Sequence, residues 1–262
     1  MSKNVKISNP KKSKQTDVLN QNIVSYPKVL KNTSITYNIF PDRFCRDRDP
    51  VQPEGEGIAP RVMHENWDDL PVYRPDEHGE ILNNDFFGGN LNGIIEKLPY
   101  LKELGITAVL FMPLYEFDEI GKFPQLYDNG YGKYASGPIA GRINYWGYTK
   151  GFYFAPKASF AWTGRKKADY TAEMKDMVKA FHKEGMEVLM EMHFQDEPVD
   201  FILDCLHYWV TEYHIDGIHL FAGEAALNAA ARDALLAKTK LITVFWNGEK
   251  KHYKNMANYN AG

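Results

Sequence analysis

Glu191, His193, Asp196 and Glu197 bring four proton-moving or metal-ligating side chains into one short span. They close the apolar run from Glu187 to Phe194, in which alternate residues share a face, so Glu191 and His193 point the same way. Imidazole and carboxylate in that arrangement suit Zn or Mn. His193, His214 and His219 also carry the group that most often serves as a catalytic base. The plainer reading of both sets is structural: hydrogen-bonded residues at strand ends, with no metal and no cofactor. Trp146, Tyr148, Tyr153 and Phe154 form a second constellation, whose flat apolar faces and polar tips are the surfaces that stack on sugar rings. The same rings can instead pack their own loop. Met174 and Met177, at helical spacing, belong to a core stripe. Asp216 and Glu224 are a candidate carboxylate pair, but one enters a strand and the other caps the following helix, at opposite ends of that strand.

The elements that position these residues alternate. Ser34 to Phe40 is a β-branched and aromatic run stopped by Pro41, which predicts a first strand. Six prolines between 41 and 85 predict a long irregular loop. Ile94, Ile95, Leu98, Leu101 and Leu104 mark a helical face that Pro99 should break and Gly105 should end. Ile106 to Met112 follows as a second strand. A second long loop, 114 to 168, leads to a helix with Met174, Met177, Val178 and Phe181 on one face, closed by Gly185. The third strand is Glu187 to Phe194, and Phe201 to Val210 is the next helical stripe. Ile218 to Phe221 is a fourth strand, Leu227 to Leu235 another helix, and Leu241 to Trp246 a fifth strand, where the pattern stops. Such alternation predicts a parallel sheet with right-handed crossovers, either doubly wound or the first part of a (β/α)8 barrel. No glycine-rich phosphate turn follows the first strand, which disfavours a dinucleotide fold.

The whole chain has 262 residues, 44% hydrophobic and 25% charged, enough to bury a full core. Its 31 Lys and Arg against 34 Asp and Glu leave a net charge of -3, which gives no electrostatic footprint for nucleic acid or an anionic membrane. Cys45 and Cys205 are too far apart in sequence to suggest a disulfide framework or a zinc site, and read as a loop and a core residue. The segment from Met1 to Asp17 is Lys-rich with no apolar h-region, and no apolar run reaches a membrane span, so a cytoplasmic protein with a solvated basic tail is expected.

Several segments together resemble glycoside hydrolase family 13, the α-amylase family, and within it the neopullulanase and pullulanase branch. They are Tyr37 to Phe44, Asn84 to Ile94, Leu98 to Thr107, Asn144 to Tyr148 with Pro156, and Phe201 to Trp209 running on to Asp216-Gly217. The resemblance spans residues 34 to 246 and implies an (α/β)8 barrel acting on α-glucans at the C-terminal ends of its strands. A retaining glycosidase needs two carboxyl groups about 5 to 5.5 Å apart, one attacking the sugar and one protonating the leaving oxygen. The family nucleophile ends the fourth strand in Asp-Gly-Phe-Arg-Phe-Asp, where this chain reads Asp216-Gly217-Ile218-His219-Leu220-Phe221. Phe221 therefore stands at the nucleophile position and His219 at that of the Arg which pairs with it, a replacement that avoids an unpaired buried guanidinium. The acid/base Glu of Lys-Leu-Ile-Ala-Glu-Pro-Trp is matched by Val244. The third strand departs from Asp-Val-Val-Tyr-Asn-His, and the loop after it shrinks to Glu197 and Pro198. Tyr148 matches the aromatic that stacks beside the scissile bond.

These observations predict an α/β fold, an incomplete (β/α)8 TIM-type barrel of about five strands with long loops after the first two. Residues 1–33 are expected to be a disordered or extended segment, 34–246 the barrel domain and 247–262 a polar tail. The expected function is that of a catalytically inactive or truncated family member binding α-glucan oligosaccharides through Trp146, Tyr148 and Tyr153. The alternative is an active hydrolase using reassigned carboxylates such as Asp216 and Glu224, or a complementing chain. Unpaired backbone on the first and fifth strands makes self-association or a second polypeptide the further expected partner.

Overall fold

The computed structural model describes residues 35–49, 62–75, 77, 79, 81, 85–117, 144, 146–148, 150–161 and 169–244, and the strand backbone of 23–25, 125–128, 133–136 and 256–258. In chain order the strands and helices are β1 (Ile23–Ser25), β2 (Ile35–Ile39), β3 (Val62–Met63), β4 (Asp85–Phe86), α1 (Leu91–Glu96), α2 (Leu98–Glu103), β5 (Ala108–Phe111), β6 (Tyr115–Phe117), β7 (Gln125–Asp128), β8 (Lys133–Ser136), β9 (Gly151–Pro156), α3 (Tyr170–Lys183), β10 (Glu187–His193), α4 (Val199–Glu212), β11 (Gly217–Phe221), α5 (Glu224–Arg232), β12 (Lys240–Thr243) and β13 (Met256–Asn258).

One sheet runs β1-β2-β5-β10-β11-β12-β13. All its pairings are parallel except β1 with β2. The five expected strands are β2, β5, β10, β11 and β12, in the expected order, and they form part of a barrel. Neither β2 nor β12 is an edge, contrary to expectation: β1 pairs with β2 and β13 with β12, so their ladders are satisfied on both sides. Otherwise the segments 1–33 and 247–262 lie outside the described residues, as do Phe245 and Trp246. The two long loops also hold regular structure. β3 pairs with β4, β6 with β9 and β7 with β8.

Local chemistry explains the helix limits. Asn90 caps α1 by accepting the Gly93 N–H at 2.8 Å. Lys97 breaks the periodic stretch, and Pro99 falls in the first turn of α2, where its missing N–H costs nothing. Gly105 and Gly185 end their helices at φ 75° and 74°, the left-handed region closed to most side chains.

The helices cover one face of the sheet. Val109, Phe111, Val188, Met190, Ile218 and Leu220 meet Met174, Phe181, Cys205 and Trp209 there, and each fully buried large side chain contributes roughly 1.5 to 3 kcal/mol. The alternate residues Ala108, Leu110, Leu189 and Ile242 form a separate buried cluster on the helix-free face. On that face Glu187 and Lys240 form an ion pair near the N-terminal ends of β10 and β12. Between those strands lies Gly217, where a Cβ would sit 2.9 Å from Leu189 Cγ and from Lys240 Cβ.

The loop after β2 is tied by buried charge. Asp42 accepts the N–H groups of Phe87 and Gly88 at 3.1 and 2.9 Å. Arg43 contacts Asp85 at 3.1 Å and lies 4.4 Å over the Phe87 ring. On the other side His64 stacks on Phe87 at 4.1 Å and turns its two ring nitrogens to Asp85 (3.0 Å) and Asp69 (3.4 Å).

Candidate functional site

The C-terminal ends of β10 and β11 place four helix-free-face residues in two layers. Register pairs Glu191 with His219 and, one layer nearer the mouth, His193 with Phe221. Glu191 Oε2 lies 3.6 Å from His193 Nε2 and Oε1 lies 3.5 Å from His219 Nδ1, each contact slightly longer than a hydrogen bond. Burial pushes the Glu191 carboxyl up, but the two imidazoles outweigh it and bring it down to about 2, so it is a carboxylate. Burial holds the His193 imidazole below its ordinary value, with Glu191 opposing. Each carboxylate oxygen serves a different imidazole. Among the described residues no three His, Cys, Asp or Glu side chains are placed to hold a metal ion.

Aromatic rings close the layer above. Phe221 stacks on His193 with centroids 4.0 Å apart and planes 8° from parallel. It also tilts against His219 at 4.3 Å. Tyr148 meets His193 at 4.1 Å. Trp146 lies beside Phe40 at 5.1 Å, over a small cluster with Phe86 and Met63. Val244, half-buried, follows β12 two residues beyond Ile242.

Tyr153 departs from its expected role. Its ring is 2% exposed and stacks on Phe194, its hydroxyl donates to the His193 carbonyl at 2.9 Å, and its own carbonyl accepts the Trp209 indole N–H at 2.6 Å. It is a core tyrosine, while Phe152 and Phe154, one residue to either side, are exposed. Asp216 accepts the Val188 N–H at 2.8 Å and contacts His182 at 2.7 Å, which fixes it at the N-terminal end of β11. Glu224 opens α5 beyond the other end. Five strand residues between them span about 16 Å, so this pair does not converge. Glu197 accepts the Gln195 N–H and contacts the Tyr153 hydroxyl, and Asp196 is exposed. His214 has φ 58° just before β11, far from the mouth. Cys205 is buried and its thiol is pushed up by burial to about 12; neither it nor Cys45 forms a disulfide.

Sequence reasoning missed Tyr115. It follows β5 at the C-terminal end of the sheet and is fully buried. Its hydroxyl accepts the His193 N–H at 3.2 Å and donates to the Gly147 carbonyl at 3.2 Å. Its place just past a strand end was the one available signal.

A family model for the alpha amylase catalytic domain matches residues 38–132. Isoamylase 3, chloroplastic, of Oryza sativa subsp. japonica is 26% identical over 223 residues, covering 61% of this chain and 27% of the rice protein. The amylopullulanase of Thermoanaerobacter thermohydrosulfuricus is 40% identical over 92 residues, covering 32% of this chain and 6% of that protein. This chain is similar to the α-amylase family, glycoside hydrolase family 13. Its relationship is to the isoamylase and pullulanase members. The type III pullulan hydrolase from Thermococcus kodakarensis shares the fold, with a TM-score of 0.57 at 17% identity over 90% of this chain and 48% of that one. The chain spans about a quarter of the length of the rice isoamylase it matches. Among its described residues no helix is long and apolar enough to cross a membrane.

Proposed function

We propose that this α-amylase family chain is a non-catalytic α-glucan-binding protein, with residues 34–246 as the binding unit. The observation that carries the proposal is the ring of Phe221 lying flat on His193 at the position of the family nucleophile. A phenyl ring has no lone pair for an anomeric carbon, and Val244 at the acid/base position has no proton to give. Glu191, the carboxylate nearest those rings, is buried, ionised and held between imidazoles beneath them. Such a group neither attacks a sugar at the mouth nor protonates a leaving oxygen. The name of one relative, amylopullulanase, supports an α-glucan as the ligand class.

Binding then rests on Tyr148 and Trp146, both partly exposed at the mouth. Two stacking rings support millimolar affinity, about -4 kcal/mol. Calorimetric titration with maltoheptaose tests this, with heat expected for the natural chain and at least a tenfold loss for Tyr148→Ala. Absence of heat, or equal binding by the variant, overturns glucan recognition. Release of reducing ends from starch or pullulan above a heat-killed control overturns the non-catalytic assignment.

A further inference from the structure

We infer that Tyr115 is the positioning residue of this site, its single hydroxyl setting the ring of Tyr148 over that of His193. The inference deepens the proposed glucan recognition and rests on it for the ligand, though not for the geometry. A phenol oxygen has one hydrogen to give and lone pairs to receive. In Tyr115 both capacities go to main chain, at Gly147 on one side and His193 on the other. Those two segments lie far apart in sequence, and the rings they present, Tyr148 and His193, are in contact at 4.1 Å.

Everything around the hydroxyl narrows its freedom. The Tyr115 ring is fully buried, tilted on Tyr153 at 5.0 Å, and passes close over Gly151, where a Cβ would meet its Cε2 at 2.6 Å. Gly147 has φ 73° and donates its N–H to Asn144 Oδ1 at 3.2 Å, and the Phe117 ring occupies the space a side chain would need. The His193 carbonyl is held separately by the Tyr153 hydroxyl at 2.9 Å. Tyr115 thus bonds the main chain on both sides of the Tyr148 and His193 stack. It therefore acts on a ligand through Tyr148.

The test uses the full chain with Tyr115→Phe, Tyr148→Ala and the double variant. The carbon-bound protons of the His193 imidazole sit in the ring current of Tyr148, so their NMR shifts report the stack without any ligand. Tyr115→Phe is expected to move them in the direction of Tyr148→Ala, and to add nothing in the double variant. Maltoheptaose affinity is expected to fall about fivefold in Tyr115→Phe and not to change further when Tyr148 is already Ala. His193 shifts that match the natural chain in a cooperatively folding Tyr115→Phe overturn the inference. Should that variant not fold, the natural chain decides: cross-relaxation between the Tyr115 ring and the His193 amide proton, and between the Tyr148 and His193 rings, is required, and its absence overturns the inference. A natural chain that shows the ring-current pattern but binds no maltoheptaose refutes glucan recognition and leaves the positioning role standing.

Discussion

Phe221 and His193 lie face to face across adjacent parallel strands, 4.0 Å apart and 8° from parallel. Register places them directly opposite each other, one layer above Glu191 and His219. Phe221 is thus a hydrophobic lid on a buried charge. The lid and the charge depend on each other, since exclusion of water strengthens the attraction of Glu191 for its imidazoles.

Placing a carboxylate at residue 221 is therefore expected to harm the fold. Phe221→Ala should cost about 2 kcal/mol through lost burial and stacking of a half-buried ring. Phe221→Asp should cost more, because it sets a second negative charge next to the layer that holds Glu191. Urea unfolding of the two variants checks the order, and an Asp variant as stable as the natural chain contradicts it.

Acid should unfold the protein in two stages. The folded Glu191 carboxyl lies near 2 against an ordinary 4.5, so its stabilisation is complete above pH 4.5 and is lost as pH falls toward about 2. The folded His193 imidazole lies below its ordinary 6.5, so its contribution is complete above that pH and declines below it. Both losses run the same way. Denaturant midpoints taken from neutral to acid pH should fall first below 6.5 and again below 4.5. Glu191→Gln should remove the second decline, on the order of 3 kcal/mol.

His64 should control access to the segment that follows it. Its contacts with Asp85 and Asp69 hold the stretch carrying the exposed Tyr73 and Arg74. His64→Ala leaves the nearly buried Asp85 carboxylate short of a partner, which typically costs 1 to 3 kcal/mol. Chymotrypsin should cut after Tyr73 several times faster in the variant, read by mass spectrometry at short times. Unchanged cleavage would show that the segment is held by other contacts.

Gly147→Ala should be among the most damaging small changes near the mouth. The added Cβ would lie 2.4 Å from the Phe117 ring at a backbone φ of 73°. A loss of about 2 to 4 kcal/mol in the thermal or chemical melt is expected. A neutral result would mean that residue 147 can leave the left-handed region.

The barrel strands were legible because each is an apolar run bounded by turn residues and followed by a helical stripe, and β5, β10 and β11 fall within a residue or two of their predicted limits. Pro99 announced the break between α1 and α2 for the reason it occurs, a missing N–H. The ladder of β6 with β9 was not legible, since its strands are short and separated by a long polar and aromatic stretch with no period. β13 escaped for the same reason, as three residues cannot show alternation. At the site, Tyr148 was placed at the mouth by resemblance, and the stacking of Phe221 on His193 required register. Tyr153 was misread because three aromatics in a row, Phe152 to Phe154, do not reveal which parity faces inward until the β6 partner is known.

Gly217 has a consequence for the curvature of the sheet. Leu189 and Lys240, on the two strands that flank β11, fill the space a side chain there would need. A methyl group there would prise them apart and flatten the local arc. His219 and Phe221 lie two and four residues further along the same strand, so that flattening would swing them away from Glu191 and His193. The shape of the mouth is geared to an absent atom at the base.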